Sequence, residues 1–336
     1  MIIQLEPNIK QDLRDRIITK INGLKYKTTE VATQKGEYIV GIGKKDFDIR
    51  DIGHMPGISD VHIVSDDYKL VSKKWKVKPT VIDLGDGVVI EEGGMAIMAG
   101  PCSIEGEEQI EKTIQHLLDN NVKIMRGGVY KPRSSPYSFR GLGIDGLKVW
   151  YDAARKAGIK IITEVMQVSQ IEEMHDYIDI FQVGARNTQN FNLLDELGKV
   201  HKPVLIKRGI SGTIDELLSS AEYVFSAGNE NLMLCERGIR TYEKASRNTM
   251  DINAITILKE KSHLPVIADP SHGIGIRDHV EPVALACIMA GADGVIYETH
   301  EKPEEAYSDG QQTLNFRESE KLINKMRKVF ELREEM

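Results

Sequence analysis

The chain has 336 residues, with 44 Lys plus Arg against 51 Asp plus Glu and a formal charge of −7. A net negative field does not gather polyanions, so neither a nucleic acid nor an anionic membrane is expected as partner, and any attraction for an anion must be local. With 41% hydrophobic and 28% charged residues the composition is globular, no run reaches the roughly 20 apolar residues of a bilayer span, and MIIQLEPNIK lacks the order of a secretory leader, so the cytoplasm is the expected location.

The first 65 residues carry a βαββαβ pattern. Ile2 to Leu5 is a short strand; Pro7-Asn8 supplies a helix start, and Ile9, Leu13, Ile17, Ile21 and Leu24 recur at helical spacing. Lys25 to Val31 and Glu37 to Ile42 flank Gln34-Lys35-Gly36 as a hairpin, and a short helix over Phe47 to Ile52 leads through Pro56-Gly57 to a last strand, Val61 to Val64. This order is the ferredoxin-like plan. It holds no evident nucleophile or metal set and reads as a regulatory or assembly module. Residues 66–80, basic and polar with Lys69, Lys73, Lys74, Lys76 and Lys78, are expected to be a linker.

The remainder, 81–336, opens with a hairpin around Leu84-Gly85-Asp86-Gly87, expected to cover one end of the larger domain. Apolar runs then alternate with amphipathic helices: Met95–Ala99, Val122–Met125, Lys160–Thr163, Ile180–Val183, Val204–Ile206, Leu232–Cys235, Val266–Ala268 and Gly294–Tyr297. That alternation predicts a (β/α)8 TIM barrel with the ferredoxin-like unit before it. An open doubly wound sheet is the alternative, but Ala-Gly-Pro-Cys-Ser stands where it needs Gly-x-Gly-x-x-Gly.

Barrel chemistry lies at the C-terminal ends of the strands. Those ends carry Cys102; Arg126, Lys131 and Arg133; Glu164; Arg186; Lys207 and Arg208; Glu236 and Arg237; Asp269 and His272; and Glu298 and His300. Converging cations at a water-poor mouth cost several kcal/mol each unless anions arrive, on the order of the effective penalty for a buried ion. Their number predicts two phosphorylated ligands, or a phosphate and a carboxylate. Cys102, His272, Glu298 and Asp309 form a second set, a thiolate, an imidazole and two carboxylates, suited to one divalent metal ion of the Mn, Fe, Co or Zn type. The other cysteines, Cys235 and Cys287, read as small core residues, and three cysteines make no disulfide framework.

Gly100-Pro101-Cys102-Ser103, Arg126-Gly127-Gly128, Lys131-Pro132-Arg133-Ser134, Gly184-Ala185-Arg186-Asn187, Ile206-Lys207-Arg208-Gly209, Glu236-Arg237-Gly238, Asp269-Pro270-Ser271-His272-Gly273 and Ser308-Asp309-Gly310, in that order, closely resemble the 3-deoxy-D-arabino-heptulosonate 7-phosphate (DAHP) synthases. The resemblance covers residue 80 to the C-terminus, and the N-terminal module resembles that of the regulated β-type members.

The resemblance implies an aldol-type condensation of phosphoenolpyruvate with erythrose 4-phosphate at the head of the shikimate route. It implies that Arg186 and Arg237 hold the phosphoenolpyruvate phosphate, with Ala185 among the substrate-binding residues, that Arg126, Lys131 and Lys207 hold its carboxylate and the surrounding charge, and that Arg133 and Ser134 take the sugar phosphate. Ser134 stands where the family commonly has Thr, with the hydroxyl kept. Cys102, His272, Glu298 and Asp309 match the family's metal ligands, and Lys131, Glu164, His272 and Cys102 are the expected catalytic set. A homotetramer inhibited by tyrosine or phenylalanine through the N-terminal module is also implied. The nearest alternative, 3-deoxy-D-manno-octulosonate 8-phosphate synthase, resembles Lys-Ala-Asn-Arg where this chain has Lys131-Pro132-Arg133-Ser134. An amino-acid sensor with a silent barrel is the alternative of another class.

Overall fold

A computed structural model of the chain describes residues 1–43, 48–76, 78–131 and 137–336. Strands β1 (Ile2–Leu5), β2 (Lys27–Ala32), β3 (Glu37–Ile42) and β4 (Ile58–His62), with helix α1 (Gln11–Gly23), form an antiparallel sheet in the order β2-β3-β1-β4. Strand alternation divides the two faces. Ile3, Leu5, Ile39 and Val61 pack with Ile17 and Ile21 of α1, while Ile2, Val31, Tyr38 and Val40 turn to the barrel.

Two expectations shift. The helix foreseen over Phe47–Ile52 is, among the described residues, one 3-10 turn, Ile49–Asp51, capped by Asp48; Phe47 lies outside the described residues. The last strand begins at Ile58 rather than Val61, because Ile58 pairs with Leu5 directly after Gly57, whose φ of 92° an L side chain rarely adopts. Val64 leaves the sheet and joins the barrel-side cluster.

The segment expected to be a linker is packed instead. Tyr68, Leu70, Val71 and Trp75 are buried in one cluster with Phe225, and Ser72 bridges to Ser262. The lysines between them obscured this: Lys73 reaches Glu92 at 3.0 Å, Lys74 reaches Asp66 at 2.6 Å and Lys76 reaches Glu230 at 2.9 Å, so their charges are met while the apolar residues face inward.

Strands β5 (Ile82–Asp83) and β6 (Val89–Ile90) form the hairpin. The barrel runs β7 (Ala96–Gly100), α2 (Glu107–Asp119), β8 (Ile124–Gly127), α3 (Gly143–Lys156), β9 (Lys160–Val165), α4 (Ser169–Met174), β10 (Ile180–Val183), α5 (Phe191–Gly198) and β11 (Val204–Lys207). It continues with α6 (Ile214–Ser226), β12 (Leu232–Glu236), α7 (Ile252–Lys261), β13 (Val266–Ala268), α8 (Pro270–Ile274), α9 (Arg277–Met289), β14 (Gly294–Glu298) and α10 (Phe316–Glu334). Strands β7 to β14 pair in parallel and close on themselves.

Met98, Ile124, Ile162, Ile180, Leu205, Met233, Ile267 and Ile296, one from each barrel strand, form an inner apolar layer sealed below by Ile82, Val88 and Ile90 of the hairpin. Side chains alternate along a strand, so the residues two further on point the same way, one layer higher. These are Gly100, Arg126, Glu164, Gln182, Lys207, Cys235, Asp269 and Glu298. The barrel thus changes from apolar to largely charged in one step of its period. Among the described residues no helix is long and apolar enough to cross a membrane.

Candidate active site

The upper layer opens into a cavity of about 260 Å³ lined by Arg126, Lys131, Arg186, Lys207, Arg237, Arg240 and Arg247, with Glu164, His272 and Asp309, and with Gln182, Gly184, Ala185, Ile210 and Asn248 completing the wall. Among the described residues, seven basic side chains thus face two carboxylates around one small space. Of the expected binding residues, Arg126, Lys131, Ala185, Arg186, Lys207 and Arg237 all line it; Arg133 and Ser134 lie outside the described residues.

Several cations stand on buried partners. Lys207 Nζ lies 2.5 Å from Asp269 Oδ2, and Arg126 donates to Glu298 Oε1 at 3.1 Å and to the Pro101 carbonyl at 2.8 Å. Gly100 makes the second bond reachable, since a Cβ there would sit 2.0 Å from the Arg126 carbonyl oxygen. Among the described residues Arg237 makes one side-chain hydrogen bond, to the Gly238 carbonyl at 3.1 Å, and burial lowers its pKa more than nearby Asp269 raises it. Arg186 has no ion pair with a described carboxylate. Arg208, named among the strand-end cations, is turned away: Glu236 and Asp251 each hold its Nη1 at 2.8 Å.

The metal-type set sits at one side of the cavity. One ligand atom each from Cys102, Glu298 and Asp309 falls within 4.8 Å of the others. His272 stands just outside that triad, its Nε2 3.5 Å from Glu298 Oε1. Its ring is oriented from behind. Asp269 caps α8, accepting the His272 backbone N–H at 3.0 Å, and its other oxygen meets Nδ1 at 2.8 Å, which leaves Nε2 facing Glu298.

Burial, reinforced by Glu298, pushes the Cys102 thiol up to about 12 despite Lys131, and the thiol donates to Asp309 Oδ2 at 3.1 Å. Burial would raise Asp309, but that thiol bond together with His272 and Lys131 holds it at about 2. Glu298 is likewise raised by burial and more strongly lowered by His272 and Arg126. Two ionised carboxylates, a thiol and an imidazole nitrogen in so small a volume fit a borderline divalent cation, which takes the thiol as thiolate. Lys131 Nζ, 3.0 Å from Sγ and 2.9 Å from the Cys102 carbonyl, joins this cluster to the cavity.

Glu164 packs against Gly184, where a Cβ would lie 2.0 Å from Glu164 Oε1. Gln182, Arg240, Arg247 and Asn248 are lining residues that the strand-end reading missed. Gln182 carried a signal, as the polar residue at inward parity within Ile180-Phe181-Gln182-Val183; Arg240 and Arg247 sit in the aperiodic loop after β12, where spacing is uninformative. Cys235 and Cys287 are buried packing residues as expected.

Residues 78–335 match the family described as DAHP synthetase I. The chain belongs to the DAHP synthetase I family. Among relatives in the family, it is 44% identical over 331 residues to the phospho-2-dehydro-3-deoxyheptonate aldolase of Thermotoga maritima, covering 98% of this chain and 97% of that one. The crystal structure of the Thermotoga maritima DAHP synthase matches at a TM-score of 0.79 and 43% identity, over 98% of this chain and 97% of that one. A truncated form of the 3-deoxy-D-arabino-heptulosonate 7-phosphate synthase from Thermotoga maritima matches at 0.74 and 46% identity, over 79% of this chain and 97% of that one. The 2-dehydro-3-deoxyphosphooctonate aldolase of Acidithiobacillus ferrooxidans is 29% identical over 232 residues, 64% of this chain and 82% of its own length.

Proposed function

We propose that the protein condenses phosphoenolpyruvate with erythrose 4-phosphate and water to give DAHP and inorganic phosphate. The observation that carries this reading is one cavity in which seven basic side chains adjoin the Cys102–Glu298–Asp309 cluster and His272. Phosphoenolpyruvate carries a phosphate ester and a carboxylate on one carbon, C2. Arg186 and Arg237, which form no ion pair with a carboxylate among the described residues, take the phosphate, with the Ala185 backbone beside it. Arg126, Lys131 and Lys207, deeper and braced by Glu298, Cys102 and Asp269, take the carboxylate. Arg133 and Ser134 take the phosphate of the second substrate, by family resemblance.

In the reaction, C3 of phosphoenolpyruvate attacks the aldehyde carbon, its double bond supplying the electron pair of the new C–C bond while the aldehyde oxygen takes a proton. Water adds at C2 and loses a proton to leave a hydroxyl; that hydroxyl then collapses to the C2 carbonyl and gives up its own proton as the C2–O bond to the phosphoryl group breaks and phosphate leaves with the bonding pair. Cys102, His272, Glu298 and Asp309 would hold a divalent metal ion, which supplies Lewis acidity at the aldehyde oxygen or the water. Glu164 is the cavity carboxylate outside that cluster and takes the proton of the water; Lys131 and His272 flank the place where negative charge develops. Holding both anions in attack geometry accounts for much of the acceleration, since oriented reactants gain about 7–11 kcal/mol.

The reading extends to regulation: a homotetramer, inhibited by tyrosine or phenylalanine bound to the N-terminal unit. It is supported by family resemblance and by the packing of that unit against the barrel. The catalytic reading is tested by phosphate release after chelation. Wild type should lose turnover and regain it with a divalent transition metal, while Cys102→Ala should not recover. Full turnover of Cys102→Ala in chelator contradicts the metal assignment.

A further inference from the structure

Glu298 ends β14 fully buried, and its two oxygens have different surroundings. Oε1 accepts from Arg126 at 3.1 Å and faces His272 Nε2 at 3.5 Å, whereas Oε2 accepts from Gln312 Nε2 at 2.7 Å. Gln312, also fully buried, has a donor end and an acceptor end. If its amide turned over, a carbonyl oxygen would face the carboxylate and repel it.

What sets the amide is Arg247, which can only donate: its Nη1 gives a hydrogen bond to Gln312 Oε1 at 2.9 Å. The same Nη1 lies 3.3 Å from Asp309 Oδ1, while Asp309 Oδ2 receives the Cys102 thiol. Arg247 therefore reaches both carboxylates, Asp309 directly and Glu298 through Gln312. The backbone suits this. Asp309 adopts φ 51°, and the 3-10 turn Gly310–Gln312 comes directly after it, placing Gln312 three residues on and over Glu298.

We infer that Gln312 and Arg247 are positioning residues that hold the outer oxygens of Glu298 and Asp309, leaving Glu298 Oε1 and Asp309 Oδ2 for a divalent cation. This rests on the metal centre proposed above. Residues that orient metal ligands in this way typically account for about 10–100-fold in metal affinity.

The test is cobalt(II) binding to the full-length apo-protein, followed by the thiolate-to-cobalt absorption band and by competition with a chelator. Gln312→Leu and Arg247→Leu should each weaken cobalt binding by about 10–100-fold. Arg247→Lys should fall between them and wild type, because one ammonium replaces a planar fork. Apo-protein melting temperatures should stay close to wild type for the half-exposed Arg247, so its variants decide the matter if Gln312→Leu does not fold. Cobalt affinity unchanged in the Arg247 variants overturns the inference. So does a raised KM for either substrate with cobalt affinity intact, which would make Arg247 a substrate residue. Absence of the band in wild type, or its survival in Cys102→Ser, overturns instead the metal centre on which the inference rests.

Discussion

At the scale of single residues, the site depends on what stands behind each group as much as on the group itself. Lys207 is held by Asp269, which also orients His272, so one buried carboxylate serves both the anion pocket and the metal-type cluster. Gly184 is the smallest part of the machinery and among the least replaceable. Gly184→Ala puts a Cβ into the Glu164 carboxylate, so kcat/KM should fall about 100-fold, as expected for a displacement of about 1 Å. A steady-state assay beside a melting curve checks this, and unchanged kcat/KM contradicts the placement of Glu164. That Cys102, His272, Glu298 and Asp309 lie near one another was legible from their places after barrel strands or in the last loop together with the family resemblance, since spacing alone is a weak signal. Arg247 and Gln312 could not be read from the chain, since nothing in an aperiodic loop or a polar turn marks which partners it will meet.

At the scale of elements, barrel order and most strand positions were legible in the apolar runs, but their ends were not. β8 reaches Gly127, β11 Lys207, β12 Glu236 and β14 Glu298, each beyond the last apolar residue. The reason is physical: the residue that lines the cavity is still in the parallel ladder, as Arg126 opposite Ile162 and Gln182 opposite Glu164 show, so the apolar run ends before the hydrogen bonding does. The packing of 66–80 was hidden for the opposite reason, apolar residues diluted by lysines. There His263 is the pivot, its ring between Thr80 Oγ1 and the Leu70 carbonyl, both at 2.8 Å.

Burial, with Lys76 adding to it, lowers the pKa of His263 from 6.5 to about 3. The folded protein therefore keeps this ring neutral where the unfolded chain protonates it. Its contribution is complete above pH 6.5 and is lost as pH falls toward 3. His263→Gln keeps a donor and cannot ionise. Its unfolding free energy, measured from pH 6.5 downward, should fall less steeply than that of wild type, by about 1.4 kcal/mol per pH unit. Equal slopes contradict a buried neutral ring. In α10, Asn315 and Glu318 form a reciprocal capping box, and Asn315→Ala should cost about 1 kcal/mol in a denaturant titration.

For the whole molecule, a net charge of −7 coexists with a cavity that seven basic side chains of the described residues line, so the local charge at that mouth is opposite in sign to the average and favours small anions there. The N-terminal unit packs through Tyr38 onto Phe225 at the end of α6 and onto Trp75 of the packed segment, itself against Phe225. Removing residues 1–64 while keeping the packed segment should leave turnover within about two-fold and abolish inhibition by tyrosine or phenylalanine, if that unit is where coupling arises. Inhibition surviving with the same affinity contradicts it. Most direct of all is the rate of phosphoenolpyruvate loss, followed by its enol absorbance, with erythrose 4-phosphate and with arabinose 5-phosphate under the same metal. The four-carbon sugar should be consumed at least about 100-fold more efficiently, a difference of about 2.7 kcal/mol in transition-state binding; equal or greater use of arabinose 5-phosphate would contradict the proposed function.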